Sequence, residues 1–230
     1  MSESRRIWDL PVRVCHWAIV LSFVGAYVSH RAGIEYFVIH RACGYVLLIL
    51  VAFRILWGFV GTRHARFASF LRGPRATWVY LRRLVRGERP STPGHNPLGG
   101  LMTVFLLGAL GVQAATGLFA NDEIFNSGPL AAHVSADRSL AFTSFHRRLF
   151  YGIAAGAALH VLAVAAHWLF WRENLTAPMV SGRKPSTSMD AADEIGASRS
   201  WLALMLVATL TGLLWWLVAN AAEVAVSGFE

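Results

Sequence analysis

The stretch from Phe145 to Trp171 constrains the fold more than any other part of this sequence. It contains no acid and only two arginines, and it is long enough to cross a bilayer, which takes about 20 residues of helix. Its histidines, His146, His160 and His167, lie within roughly 60° of one another around a helix that turns by about 100° per residue. Ionisable side chains inside a membrane span face the bundle interior and mark functional sites. Three histidines on one stripe therefore predict a metal centre inside a helical bundle.

The spacing along this helix predicts more than one centre. The 14-residue step from His146 to His160 corresponds to roughly 21 Å of helix, which puts the two imidazoles on opposite sides of the membrane midplane. Imidazoles at two depths predict two stacked metal centres. In the alternative, each histidine is a hydrogen-bonded interior residue or lies at the membrane interface.

The composition is that of a membrane protein. Hydrophobic residues make up 55% of the chain, charged residues make up 15%, and the mean hydropathy is +0.47, whereas ordinary soluble domains contain about 25% charged residues. The net charge of +8 does not indicate nucleic acid, because the arginines cluster between apolar runs as the positive-inside rule predicts. Cys15 and Cys43 form neither CxxC nor CxxCH, which argues against a disulfide scaffold, a zinc cluster and covalently attached haem.

Five apolar runs predict five membrane-spanning helices, at about residues 14–29, 36–60, 98–120, 144–171 and 201–226. The first run is predicted to be retained, because no small-residue cleavage site follows the polar leader. We therefore predict an all-α integral membrane helical bundle, with a four-helix domain at residues 1–184. A polar linker and the fifth helix make up residues 185–230. No predicted soluble part is large enough to be an enzyme by itself.

The charges between the runs predict the orientation in the membrane. Residues 61–97 contain eight arginines and one acid, Glu88, so this segment is predicted to face the cytoplasm. The loop at residues 121–144 contains three acids and one arginine, as expected outside. The N-terminus is then cytoplasmic and the C-terminus periplasmic. Residues 75–86 predict a basic amphipathic helix on anionic headgroups, with a nucleic-acid arm as the alternative.

This topology pairs four histidines by depth. His16 begins the first span and matches His160, whereas His40 begins the second span and matches His146. Each pair can supply two axial imidazoles to one b-type haem held between helices. Because two imidazoles leave no open iron position for oxygen or substrate, the pairs favour one-electron transfer over catalysis at the iron. By helical phase, His167 remains an alternative to His160.

The other histidines have predicted roles outside these pairs. His30, at the outer end of the first span, competes with His40 but is expected to be interfacial. His64, His95 and His133 lie in predicted loops, where a solvated histidine is expected.

Four stretches of the sequence carry a family likeness. They are WDLPVRVCHW (8–17), HRACGYVLLILVAFRILWGFVGTRHARF (40–67), GHNPLGG (94–100) and the fourth span with its tail RENLTAPMVSGRK (172–184). Through them the chain resembles the bacterial di-haem cytochrome b family, which includes the b-type cytochrome subunit of Ni,Fe-hydrogenases and the bacterial b561-type cytochromes. The resemblance implies two haem b groups with His16, His40, His146 and His160 as axial ligands, and it favours His160 over His167. It also implies quinone as one redox partner and a periplasmic redox protein as the other.

Two further residues are predicted to contact haem. Arg54 follows His40 by 14 residues, and it can pair with a haem propionate or snorkel to the headgroups. Gly117 belongs to the glycine-rich third span, where small residues let helices or a flat macrocycle approach the backbone closely.

A quinone pocket is expected near the inner haem, as the resemblance implies. The residues expected to frame it are Arg172, Glu173 and Asn174, which follow the fourth span. His167 is expected beside a haem propionate or the quinone. Quinol chemistry needs a proton acceptor, which Glu173 or His167 can provide.

The predicted function is electron transfer across a bacterial inner membrane, between the quinone pool and a c-type cytochrome or hydrogenase-like subunits. One rival is a superoxide:quinone oxidoreductase, against which the acidic outer loop counts. The other is a haem-free metal transporter, which would lack haem absorbance. The fifth span is additional to the four-helix core of the family. It either docks a partner subunit or fixes the chain's tail. Its Trp215, Trp216 and Asn220 are the residues of interest.

Overall fold

Five long helices dominate the computed structural model of the chain, which describes residues 4–88, 92, 94–186 and 190–221. They are α1 (Leu10–Ala32), α2 (Phe37–Val60), α5 (Pro97–Phe119), α6 (Ala136–Trp171) and α8 (Ser200–Ala219). All five are long and apolar enough to cross a membrane. The predicted all-α, five-span architecture is therefore confirmed.

The ends of the spans differ from the predictions at two helices. Helix α1 begins at Leu10, and α6 begins at Ala136, well before the apolar runs that predicted them. Helix α1 is extended by Leu10–Arg13 and capped by Asp9, whereas the extension of α6 begins with polar residues. Asp137 in the first turn of α6 is favourable beside the positive end of the helix dipole. The predicted end of the fifth span, at residues 222–226, lies outside the described residues.

Shorter elements connect the spans. Helices α3 (Phe67–Phe70) and α4 (Pro74–Val85) follow α2, and α7 (Thr176–Ser181) follows α6. Strand β1 (Ser4–Arg6) pairs antiparallel with β2 (Arg183–Pro185). Helix α4 is the predicted amphipathic helix: Trp78 is 60% exposed, Val85 is 81% exposed, and arginines surround them. Its contact with anionic lipid stays a prediction.

Asp9 joins the beginning of α1 to the end of α2. Its side chain is fully buried. Oδ1 accepts the backbone N–H of Val12 at 2.7 Å, which caps the N-terminus of α1. Oδ2 accepts the indole N–H of Trp57 at 3.1 Å and the hydroxyl of Thr62. One carboxylate therefore satisfies donors from three places in the chain.

The predicted polar linker after β2 contacts earlier parts of the chain. The carboxylate of Asp193 forms an ion pair with Arg63 at 3.1 Å, and its backbone oxygen accepts a hydrogen bond from Nε2 of His64 at 2.7 Å. The backbone N–H of Ile195 donates to the oxygen of Arg6 at 3.0 Å, and the Ile195 side chain is buried. An ion pair, hydrogen bonds with the backbone and a buried apolar side chain therefore attach this polar segment to the rest of the chain.

The chain forms two compact units. The first unit comprises Met1–Trp17, Arg54–Leu107 and Gly156–Leu204, and the second comprises Ala18–Phe53, Gly108–Ala155 and Met205–Glu230. Trp57 and Ile7 are the largest fully buried apolar side chains of the first unit, and Ile153 and Val51 are those of the second.

We predict that Asp9→Ala destabilises the protein. The substitution removes the cap of α1 and leaves the buried donors of Trp57 and Thr62 unpaired, which costs about 3 kcal/mol or more. A thermal melt of the purified protein in detergent measures the loss as a lower midpoint. Glu35→Ala, which removes an exposed carboxylate, is the matched control. An unchanged midpoint for Asp9→Ala would contradict this role.

Candidate functional site

Two histidines on different helices of the first unit face each other. The imidazole centroids of His16, on α1, and His160, on α6, lie 6.4 Å apart with the ring planes tilted by 58°. Both side chains are partly buried, and Nδ1 of His16 is buried without a hydrogen-bond partner. The sequence analysis paired these two histidines by depth, and the structure brings them together.

A second pair lies in the second unit. The centroids of His40, on α2, and His146, on α6, are 6.3 Å apart with an interplanar angle of 73°. The carbonyl oxygen of Ala26 lies 2.8 Å from Nδ1 of His40, and that of Gln113 lies 2.9 Å from Nδ1 of His146. Because a carbonyl only accepts, each Nδ1 carries the proton and donates it, which leaves the lone pair of Nε2 free to bind a metal.

Both centroid distances fit two imidazoles on opposite sides of one metal ion. Two metal–nitrogen bonds of about 2 Å, with each ring centroid about 1.2 Å behind its nitrogen, span about 6.4 Å. Within the described residues, no group of three or more His, Cys, Asp or Glu side chains could hold a metal ion. Paired imidazoles suit a metal whose other four ligands come from a porphyrin, as in bis-histidine haem.

The surroundings of Arg54 suit the binding of a carboxylate such as that of a haem propionate. This residue of α2 is only 6% exposed, and both Nη atoms are buried without a hydrogen-bond partner. Its guanidinium carbon lies 5.6 Å from the centroid of the Phe67 ring. A buried charge with no hydrogen-bonded partner is costly, so the cationic group calls for an anion.

Gly117 lies against the second pair. A Cβ atom at this position would approach Cε1 of His146 to 3.2 Å, which is tighter than an ordinary contact. The glycine therefore lets α5 pack directly on the imidazole. A contact between Gly117 and haem stays a prediction.

His167 contacts a carboxylate, Glu173, and does not take part in the His16–His160 ring contact. Its Nδ1 lies 3.3 Å from Oε2 of Glu173, whose Oε1 accepts a hydrogen bond from Nζ of Lys184 at 3.3 Å. The hydrogen bond from His167 and the charge of Lys184 hold the pKa of Glu173 below its ordinary value, although burial acts in the opposite direction. Glu173 is thus an ionised carboxylate between two donors.

The two residues that flank Glu173, Arg172 and Asn174, are both exposed. Asn174 lines a pocket, and its Oδ1 accepts the backbone N–H groups of Thr176 and Ala177 at 3.0 and 2.9 Å. The rest of the pocket wall is mostly apolar and comprises Val161, Val164, Ala165, Trp168, Leu175 and Thr176.

The expectation of solvated loop histidines is right at His133, which is exposed, and wrong at His64 and His95. His64 is only 7% exposed. His95 is partly buried, with Nδ1 sealed and unpartnered. Burial, together with the positive charge of Arg54, lowers the pKa of His95 to about 3. His30 is exposed, as expected of an interfacial residue, and its ring centroid lies 5.6 Å from that of His40.

Sequence reasoning missed four residues that shape these sites, namely Asp9, His95, Gln113 and Lys184. Asp9 carried a signal, because an aspartate just before a helix with proline in its first turn is a cap pattern. His95 lay in a stretch that carried the family likeness, but no residue role came with it. Gln113 acts through its backbone oxygen, which no side-chain pattern reveals.

Comparisons with known proteins identify the family of this chain. A family model for prokaryotic cytochrome b561 matches residues 7–182. The probable Ni/Fe-hydrogenase B-type cytochrome subunit of Azotobacter chroococcum mcd 1 is 25% identical over 212 residues, which cover 76% of this chain and 86% of the relative. The corresponding protein of Bradyrhizobium diazoefficiens is 25% identical over 210 residues, which cover 77% and 85%.

One relative has a higher sequence identity over a shorter alignment. The probable Ni/Fe-hydrogenase 1 B-type cytochrome subunit of Escherichia coli K12 is 30% identical over 135 residues, which cover 45% of this chain and 57% of the relative. No solved structure matches the chain significantly. The family match extends over most of the chain and includes all four paired histidines. The chain therefore belongs to the prokaryotic cytochrome b561 family, and it is a multi-pass membrane cytochrome that carries b-type haem and takes part in electron transfer.

Proposed function

We propose that this cytochrome holds two haem b groups and transfers electrons across the bacterial inner membrane between the quinone pool and a periplasmic redox partner. The single observation that carries the proposal is the presence of two separate imidazole pairs with centroid distances of 6.4 and 6.3 Å. A chain with one haem would have no use for the second pair.

The paired histidines are the proposed axial ligands: His16 with His160 and His40 with His146. Bound haem b supplies one-electron transfer, and two axial imidazoles keep other molecules from the iron. Ala26 and Gln113 orient the second pair through their carbonyl oxygens, which also makes the imidazoles more basic and hence better ligands. Residues 1–184 form the proposed di-haem domain, and residues 185–230 add the fifth helix.

The orientation follows from charge. Helix α4 and its neighbouring loops carry the arginines that favour the cytoplasmic side, so the N-terminus is cytoplasmic and the C-terminus periplasmic in this proposal. The loop between α5 and α6 faces the periplasm. There Asp122 accepts the backbone N–H groups of Ile124, Phe125 and Asn126 at 2.8 to 3.0 Å, which gives the loop a defined shape.

The quinone site is proposed at the end of α6, beside His167 and Glu173. The neighbouring pocket has an apolar wall with Trp168 and a polar end at Asn174, which matches a quinone ring with its carbonyl groups. Glu173 is ionised and hydrogen-bonded to His167, so this pair can take up a proton when quinol is oxidised and return it when quinone is reduced. Lys184 holds the carboxylate in position.

The periplasmic partner is proposed from the relatives. Their names describe them as B-type cytochrome subunits of Ni/Fe-hydrogenases, so hydrogenase-like subunits are the first candidates and a c-type cytochrome is the second. Co-purification from a native membrane identifies the partner. Haem reduction by superoxide in the absence of any partner would favour the superoxide:quinone oxidoreductase instead.

We expect single ligand substitutions to remove single haems. His146→Ala loses the haem of the His40–His146 pair and keeps the other, because the two sites share no ligand, and His160→Ala does the reverse. Haem-to-protein ratios and low-temperature spectra of the purified variants measure this. His167→Ala is the matched control and keeps both haems. The assignment is wrong if His167→Ala, rather than His160→Ala, empties a site.

We expect Glu173→Gln and His167→Gln to slow electron exchange with quinone about 100-fold, because each removes a partner in proton transfer. Both haems stay bound and reducible by dithionite. Stopped-flow reduction by a soluble quinol gives the rate. Glu88→Gln removes an exposed carboxylate that also has an ion-pair partner, Arg83, and leaves the rate unchanged. A rate at the wild-type level in Glu173→Gln would place the quinone elsewhere.

Truncation after Arg199 tests the fifth helix. The truncated chain retains the Asp193 and Ile195 contacts with the first unit, so both haems are expected to stay bound while a co-purifying partner is lost. Haem content and the subunits recovered from the membrane are the two measurements. Loss of haem would show that α8 is structural.

A further inference from the structure

Buried polar atoms without a partner are concentrated in the first unit. Among the described residues, the side chains with such atoms are Arg13, His16, Arg54, His95 and Gln113, and only Gln113 belongs to the second unit. The unpartnered atoms of the first unit are all nitrogens. The guanidinium nitrogens among them can only donate, so they call for an acceptor, and a negatively charged one suits a cation best.

Arg54 has the most unpartnered atoms of the set, because both of its Nη atoms are buried without a hydrogen-bond partner. Asp9, an acid of the same unit, uses both of its oxygens for Val12, Trp57 and Thr62, and neither oxygen is hydrogen-bonded to these Nη atoms. The aromatic face of Phe67 supports the guanidinium, but a ring cannot replace a hydrogen-bonded anion. The guanidinium fork suits the two oxygens of a carboxylate.

Two phenylalanine rings connect His95 with this arginine: Phe67, which lies under the Arg54 guanidinium, has its ring centroid 5.7 Å from that of Phe70, which contacts His95. The ring centroid of His95 lies 4.8 Å from that of Trp8 and 4.5 Å from that of Phe70, so aromatic contacts on two sides fix the imidazole while Nδ1 has no partner. The charges of Arg54, His16 and His160 act on His95. Together with the ring contacts through the two phenylalanines, this places the imidazole and the Arg54 guanidinium in one cluster of the first unit.

His64 provides the contrast. It also lies in the loops of the first unit and is also buried, but its Nε2 donates to the backbone oxygen of Asp193. Likewise, Arg63 forms an ion pair with Asp193. Buried or arginine-rich surroundings alone thus do not leave side chains unpaired in this unit, and the missing partners of Arg54 and His95 are specific to their position.

We propose that Arg54 and His95 together bind the carboxylate of a haem propionate at the His16–His160 site. The proposal rests on the proposed function, because it requires a haem at that pair. Arg54 supplies the charge and the fork of donors, and His95 supplies one N–H. These residues position the haem in the bundle, and the positive charge stabilises the reduced iron relative to the oxidised iron.

Redox titration of the full-length protein with its haems tests this. Arg54→Gln and His95→Gln are expected to lower the midpoint potential of one haem and to speed its loss about tenfold or more, the range for contacts that support metal-site ligands. The second haem keeps its potential and its occupancy, which shows that the variant is folded. Arg54→Lys keeps the charge but loses the fork, and it is expected to retain the potential better than the occupancy.

Arg63→Gln and His64→Gln are the matched controls, and both leave the two potentials unchanged. The proposal is overturned if Arg54→Gln and His95→Gln match the wild type in both haems, or if the controls shift the same haem as much. It is also overturned if the variants lose bound anionic lipid while haem is unaffected, since a lipid phosphate would then be the anion. If Arg54→Gln loses both haems, the potential and the rate of haem loss of the His95→Gln variant test the proposal instead. A wild-type protein that binds no haem would instead refute the proposed function.

Discussion

A bilayer provides no water to the polar groups of a membrane-spanning helix, so each group must find a partner inside the protein or hold a ligand. Some polar groups of this chain are satisfied locally. The hydroxyls of Ser29 and Thr116 donate to backbone oxygens of their own helices, and Asp9, just before α1, collects three donors. Arg54 and His16 have buried nitrogens with no such partner. This division separates side chains that hold the bundle together from side chains that we propose bind haem.

The same constraint explains how the histidines differ. In the His40–His146 pair, both Nδ1 atoms are bonded to carbonyl oxygens of neighbouring helices. A carbonyl has a second lone pair, so it can accept from an imidazole while it remains in the helical ladder. The backbone therefore fixes the tautomer at no cost to the helix, and Nε2 keeps the lone pair that we propose binds haem iron. His167, by contrast, is bonded to the carboxylate of Glu173, beside the proposed quinone site.

The helices were predictable because a long apolar run has few alternatives in a membrane, and the pairing of His16 with His160 followed from depth and topology. The early start of α6 was not, because the polar residues from Ala136 onward take helical form without an apolar signal. Nor could the sequence distinguish His64 from His95, since both are loop histidines. Their difference depends on contacts with Asp193 and with Trp8 and Phe70, which are distant along the chain. Long-range packing, rather than local pattern, decided these cases.

The two units offer their histidine pairs different surroundings, and the difference matches the chemistry proposed for each. A quinone exchanges protons together with electrons, so its site needs acid–base groups close to an electron carrier. The first unit combines such groups, Glu173 with His167, with the His16–His160 pair and the cationic Arg54. In the second unit the hydrogen-bond partners of the pair are neutral, namely the backbone oxygens of Ala26 and Gln113 and the hydroxyl of Thr116. Exchange of electrons with a redox protein moves no proton, so neutral hydrogen-bond acceptors that hold the imidazoles rigid are sufficient there.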